Sequence, residues 1–217
     1  MSIDPETERQ IEELSHDPRP LLVLDVDDVV LHFVRPFPRF LEARGFELTL
    51  GTFKLLGNIR ERTTGRPIER EEIAALVDEF FHAQADWQTI TDGAAEVLAD
   101  FAPRAEIVML TAMPHRYRAA RRAHMDALGM PFPLLTTEMA KGPAIAKLRG
   151  DTQRPVAFVD DQPTNLESAL EWVPDVHLFH LMAETKLREL LPAPPEGTYV
   201  VEDWPEARPL IAAALGI

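Results

Sequence analysis

Three carboxylates, Asp25, Asp27 and Asp28, fall within four positions directly after the apolar run Leu21-Leu22-Val23-Leu24. A near-continuous apolar run is how a parallel strand buried on both faces reads. Acids at its end are therefore pushed to the carboxyl edge of a sheet, where open α/β folds place their ligands. Like charges crowded there repel unless a cation sits among them. The hard cation that takes carboxylate oxygens and works beside phosphate is Mg²⁺. The bland alternative is a strand running into an acidic turn, in a chain with acid to spare.

Two more apolar runs end in polar chemistry. Glu106 to Leu110 reads as a strand closing at Thr111, and Pro155 to Val159 as one closing at Asp160-Asp161. Lys141 precedes Gly142-Pro143 and so lies at the positive end of a helix, where a cation is mildly unfavourable and an anion would relieve the conflict. Each has an ordinary explanation too. Thr111 suits a helix N-cap ahead of Pro114, and the acid pair suits a cap ahead of Pro163. Lys147 reads as part of a solvated face.

The elements that must carry these residues alternate between strand and helix. Residues 5–16 read as a short polar helix ended by Asp17-Pro18-Arg19-Pro20. Helices are expected over Ala94 to Phe101, Pro114 to Leu128, Pro143 to Leu148, Leu166 to Trp172 and Pro205 to Leu215. Further strands are expected at Pro133 to Leu135, Val176 to Phe179 and Tyr199 to Val201. Such alternation implies a parallel, Rossmann-like sheet with helices on both faces. Residues 34–91 break the pattern. Phe37, Phe40 and Leu41, and later Ile73, Leu76, Val77, Phe80 and Phe81, have helical spacing. The reading is an α/β core over 1–33 and 92–217, with a small α-helical cap inserted after the first strand. If the strands are parallel, the four polar clusters converge on one edge.

The 217 residues include 36 acids and 22 bases, a formal net charge of −14. That excess argues against binding nucleic-acid polymers or anionic membranes. The absence of cysteine excludes disulfides, thiolate metal sites and cysteine nucleophiles. The N-terminal stretch is acidic and polar, unlike a secretory signal, and no apolar run approaches the length of a membrane span. A cytoplasmic protein, monomer or homodimer, is expected.

Taken in order, Asp25-x-Asp27-x-Val29, Thr111 closing a strand, Lys141-Gly142 and Asp160-Asp161 resemble the four motifs of the haloacid dehalogenase superfamily. The inserted stretch is similar in position to that superfamily's type-one cap. Asp28 and Asp160 stand where the commonest pattern has glycine. The resemblance implies a Mg²⁺-dependent phosphatase acting on a small phosphorylated metabolite, in which Asp25 is the nucleophile and forms an aspartyl-phosphate. Asp27 would be the general acid and base, reaching the metal through its backbone carbonyl. Asp161 and Asp160 would complete the metal shell, while Thr111, the Ala112 amide and Lys141 would hold the phosphoryl group. Asp28 would be either a supporting residue or only part of the turn. Relatives that cleave carbon–halogen or carbon–phosphorus bonds lack an acid two positions after the nucleophile, so Asp27 implies phosphate-ester hydrolysis or phosphomutase chemistry.

Substrate signals are sparser. His115 and Arg116, beside Thr111, and Asn58 and Arg60 in a cap loop, with Arg62 and Arg66, are possible contacts. The later arginines of the 114–128 helix read as a solvated face. Phe37, Phe40, Trp87 and the Phe80-Phe81 pair read as core. The run from Asp25 to Val30 followed by Phe33, with Asp160-Asp161-Gln162-Pro163, is similar to the deoxyribonucleotidase branch. Alternatives to a general phosphatase are therefore a phosphomutase, a 5′-deoxyribonucleotidase-like enzyme, or a non-catalytic or receiver-like phosphate-binding module. A receiver would carry its acceptor aspartate in mid-chain and would lack the long insertion.

Overall fold

A computed structural model describes residues 2–15, 17–49 and 55–217. Helix α1 covers Pro5–Glu12, shorter than the expected 5–16, whose last residue lies outside the described ones. Strand β1 is Leu21–Leu24. The insertion then holds α2 (Phe37–Glu42), β2 (Phe46–Leu48), β3 (Ile59–Glu61), α3 (Arg70–His82) and α4 (Gln84–Trp87). Beyond it come α5 (Ala94–Phe101), β4 (Glu106–Thr111), α6 (Arg118–Ala127), β5 (Leu134–Thr136) and α7 (Gly142–Arg149). The chain closes with β6 (Val156–Asp160), α8 (Pro163–Trp172), β7 (His177–Leu181), β8 (Tyr199–Val201) and α9 (Trp204–Leu215).

Six strands form one sheet in the order β5-β4-β1-β6-β7-β8. Every neighbouring pair is parallel. All four residues of β1 are fully buried, and their alternation assigns them to opposite faces. Leu22 and Leu24 pack with Leu98 and Phe101 of α5 and with Trp204 and Ile211 of α9. Leu21 and Val23 pack with Ile145 and Leu148 of α7 and with Leu166 of α8. Each such side chain contributes about 1.5–3 kcal/mol of burial, so β1 is locked in register between β4 and β6. Leu24 sits beside Met109 on one side and Val159 on the other.

The insertion leaves and re-enters the core at a single seam. Leu31 bridges Ile90 in antiparallel fashion. His32 N–H donates to Thr89 C=O at 2.9 Å and Thr91 N–H to Val30 C=O at 2.9 Å. Phe37, Phe40, Leu41, Ile59, Leu76 and Phe80 give it an apolar cluster of its own. It is not wholly helical: β2 and β3 pair antiparallel, with Phe46 opposite Glu61 and Leu48 opposite Ile59. The expected 114–128 helix is likewise divided, into a 3₁₀ turn over His115–Tyr117 and α6.

Candidate functional site

The parallel order brings the four clusters together. Asp25 follows β1, and its N–H still donates to Val159 C=O at 2.9 Å. Thr111 ends β4, Asp160 ends β6, and Lys141 is the N-cap residue of α7. Gly142 explains how Lys141 reaches the edge. A Cβ at that position would lie 2.1 Å from the Ser168 carbonyl oxygen, so only glycine lets α7 pack this closely on α8. Its N–H donates to Ser168 Oγ at 3.1 Å. Lys141 is fully buried. Its Nζ donates to Asp25 Oδ1 and, at 2.7 Å, to Asp160 Oδ2. Those two carboxylates offset the poor placement of a cation at a helix N-terminus.

Charge at this edge is not balanced by Lys141. Burial pushes the Asp25 carboxyl up to about 7; Lys141 pulls it down, while Asp160 and Asp27 push it up. Asp161 is raised well above the usual carboxylate range by burial, then by Asp160 and Asp25. Burial opposes the charge on Lys141, yet Asp160 and Asp25 raise its affinity for the proton overall. Further positive charge would relieve this crowding. Among the described residues, no three carboxylate or imidazole groups form a ready cage. Mg²⁺ keeps several waters and needs only one or two carboxylates. Asp25 and Asp161 could supply side-chain oxygens, and Asp27 a backbone carbonyl. Asp160 is otherwise engaged. Its Oδ1 accepts from Gln162 N–H at 2.8 Å and Asn165 Nδ2 at 3.0 Å, while Oδ2 takes Lys141. Asp160 thus bonds the N-cap residue of α8, but neither α8 nor the turn after Thr111 has a side-chain cap, so neither capping alternative is realised.

Asp28 has a defined part. Its φ of 59° is left-handed, a conformation that glycine favours and aspartate tolerates. Its carboxylate accepts the N–H groups of Phe33 and Val34, each at 3.0 Å, and burial raises it to about 7. It therefore shapes the chain where the insertion begins.

Asp27 is held by residues that the sequence did not single out. Arg121 Nη2 donates to its Oδ1 at 3.0 Å and Oδ2 at 3.3 Å, and Gln88 Nε2 to Oδ1 at 2.8 Å. Arg121 also bonds Gln84 and Gln88. Thr111 Oγ1 makes a longer contact with Asp27 at 3.5 Å. Arg121 is fully buried, which corrects the solvated-face reading of α6. Arg118 and Arg122 likewise turn inward to backbone carbonyls, Arg118 to Leu134 at 3.0 Å and Arg122 to Phe132 and Met130. The overlooked signal is periodic. Tyr117, Arg121, His124 and Met125 fall on one stripe of the helix, and all four are buried.

A cavity of about 290 Å³ opens above this edge. Asp25, Asp27, Thr111, Ala112 and Asp161 form its floor, and the insertion supplies an apolar roof that includes Phe33, Phe37 and Phe81. Phe37 and Phe81 thus serve the cavity as well as the core, whereas Phe40 and Phe80 are core alone. None of the four expected substrate contacts lines it. His115 bonds Asp4 at 3.0 Å and Thr136 at 2.7 Å. Arg116 pairs with Asp78 and lies over the Tyr117 ring. Arg60 donates to the Gly65 carbonyl at 3.1 Å. Asn58 sits in the turn before β3, its C=O accepting from Thr49 N–H at 2.8 Å.

No protein-family profile and no curated protein sequence matches the chain. Solved structures do. A haloacid dehalogenase-like hydrolase from Streptococcus pneumoniae aligns over 92% of this chain and 99% of its own, with TM-score 0.57 and 12% identity. A HAD-family hydrolase from Deinococcus radiodurans, solved with phosphate and sodium, aligns over 91% and 96%, with TM-score 0.55 and 16% identity. A HAD-hydrolase candidate from Bacillus subtilis, solved with magnesium, aligns over 93% and 100%, with TM-score 0.57 and 14% identity. The fold is therefore that of the haloacid dehalogenase-like hydrolases, a likeness of architecture at low identity.

Proposed function

We propose that the chain is a Mg²⁺-dependent phosphatase that hydrolyses a small-molecule phosphate monoester through an aspartyl-phosphate on Asp25. The observation that carries the reading is the buried Lys141 joining Asp25 to Asp160 beneath a cavity that Asp25, Asp27 and Thr111 line. A carboxylate beside a fixed cation is placed to attack phosphorus, and the cation offsets charge as the transition state forms. Mg²⁺, when bound, would neutralise phosphoryl and carboxylate charge.

In the first step an Asp25 oxygen bonds to phosphorus, the ester P–O bond breaks, and Asp27 gives its proton to the departing oxygen. In the second, Asp27 takes a proton from water as that water attacks phosphorus, which releases phosphate and restores Asp25. Asp27 must hold one orientation through both steps, and Arg121 and Gln88 are the groups that fix it. Thr111 Oγ1 and the Ala112 amide would bind phosphoryl oxygens. Asp161 is the better metal ligand of the acid pair, because Asp160 is already saturated and serves to position Lys141.

The test is phosphate release across a panel of monoesters, with Mg²⁺ and with EDTA. Release is expected on at least one ester, lost in EDTA, and reduced at least ~10³-fold in Asp25→Asn. Full activity in that variant would remove Asp25 from the role of nucleophile.

A further inference from the structure

We infer that His180 is a positioning residue for the metal site: its Nε2–H holds the Asp161–Gln162 peptide so that the Asp161 carboxylate faces the cavity. The inference deepens the phosphatase reading and rests on it.

His180 is buried on β7, opposite Asp160 of β6 in the parallel register. Its Nε2 lies 2.9 Å from the Asp161 carbonyl oxygen. A carbonyl only accepts, so Nε2 carries the hydrogen and the ring donates. The other tautomer would set a lone pair against the carbonyl. It would also put a hydrogen on Nδ1, which is buried without a partner among the described residues, and an orphaned donor there is costly. The same peptide unit is gripped at its other end, where Gln162 N–H donates to Asp160 Oδ1 at 2.8 Å. With its C=O and its N–H both bonded, this peptide cannot turn without breaking both bonds. The direction in which Asp161 leaves the chain is thereby set.

A grip is needed here. Asp160 and Asp25 both oppose charge on the Asp161 carboxylate, so repulsion alone would swing it away from the floor that it lines. Gln162 Nε2 donates to Asp161 Oδ2 at 2.5 Å, but Gln162 is on the same turn and moves with it. His180 does not. It belongs to a strand paired on both sides, with β6 and with β8, and its neighbours Phe179 and Leu181 are buried. The end of that strand steadies the first acid turn as well, since Ala183 N–H donates to Asp28 C=O at 2.8 Å. β7 thus ties the turn that carries Asp27 and Asp28 to the turn that carries Asp161. A hydrogen bond one step behind a ligand typically sets metal affinity by ~10–100-fold.

The test measures Mg²⁺ binding by calorimetry, without substrate, on the whole chain and on His180→Leu, His180→Asn and His180→Gln. Glutamine carries an amide nitrogen near the place of Nε2, asparagine only near that of Nδ1, and leucine none. Kd for Mg²⁺ should rise about tenfold or more in the leucine and asparagine variants, and return to within about threefold of the parent in the glutamine variant. On any ester cleaved, the Mg²⁺ concentration for half-maximal rate should move in step, while kcat at saturating Mg²⁺ changes less. A lower melting temperature with unchanged Kd in His180→Leu and His180→Asn would make His180 a packing residue. That result overturns the inference and leaves the phosphatase reading standing. Should neither variant fold, the parent decides by NMR of nitrogen-labelled histidine, with the His180 signal assigned from His180→Gln. Its Nε2 should carry the proton and its signal should shift as Mg²⁺ is added; a signal that stays in place overturns the inference. A parent that binds no Mg²⁺ removes the metal from the phosphatase reading, and the inference with it.

Discussion

Asp25 on the cavity floor, with Asp160 and Lys141 buried beneath it, is fixed by charge and hydrogen bonds, whereas Phe33, Phe37 and Phe81 in the roof are fixed by ring packing. The floor belongs to a sheet whose register is set by six parallel strands, and the roof to an insertion with its own apolar cluster. Replacing one floor residue leaves a buried charge without its partner. Replacing one roof residue leaves other hydrocarbon in place and changes the shape of the space. The floor should therefore decide whether a phosphoryl group is transferred, and the roof which ester is admitted.

The sharpest way to break that division is Lys141→Met, which removes the buried cation and leaves the chain hydrophobic at that site. Asp25 and Asp160 would then face one another without it. We expect a loss of about 3–5 kcal/mol in urea unfolding and of about 10²–10³ in kcat on any accepted ester. Adding Asp160→Asn to Lys141→Met should recover part of the stability, because it relieves the unpaired charge. A Lys141→Met protein as stable as the parent would mean that these acids are not held by the lysine.

Arg121→Met tests the junction between the two regions. Arg121 lies on α6, yet it binds Asp27 on the floor and Gln84 and Gln88 at the end of the insertion. Without it, Asp27 keeps the 2.8 Å bond from Gln88 but loses the two contacts that orient both of its oxygens. We expect kcat to fall about tenfold to a hundredfold with KM little changed, the signature of a misplaced proton-transfer group, and Arg121→Lys to restore part of the loss. A change confined to KM would make Arg121 a substrate-holding residue instead.

How much of this was legible follows from the same contrast. Asp25, Thr111 and Asp160 each end an apolar run and Lys141 opens a helix, so strand-end chemistry read through. The β2–β3 pair did not, because Phe-Glu-Leu and Ile-Arg-Glu are too short to show alternation. Arg121 was hidden among neighbouring arginines, and only its step of four from Tyr117 distinguishes it. His115 reads as a possible substrate contact because it follows Thr111. Its actual partner, Asp4, is 111 positions away at the start of α1, a contact that no local pattern encodes. The roof residues read as core because helical spacing cannot tell a filled interior from the wall of a cavity.

The smallest expected effect concerns the seam where the insertion rejoins the core. His124 on α6 is buried, and its Nε2–H donates to the Gln88 carbonyl at 3.1 Å. Burial lowers its pKa below the ordinary 6.5; the Gln88 bond acts the other way and Arg121 adds to the lowering. The folded protein therefore binds this proton less readily than the unfolded chain. Its contribution to stability is present above pH 6.5 and is lost as the pH falls from there towards the lowered folded value. His32, depressed first by burial and then by Arg35, acts in the same direction. Asp25 and Asp28, raised to about 7, act in the opposite sense over this range, so the expected effect is a difference between proteins: from about pH 7.5 to about pH 5.5 the urea midpoint of His124→Gln, which can still donate to the carbonyl but cannot titrate, should gain on that of the parent. An unchanged pH slope in that variant would show that the seam tolerates a charged imidazole, and that the insertion is less firmly tied to the floor than its hydrogen bonds indicate.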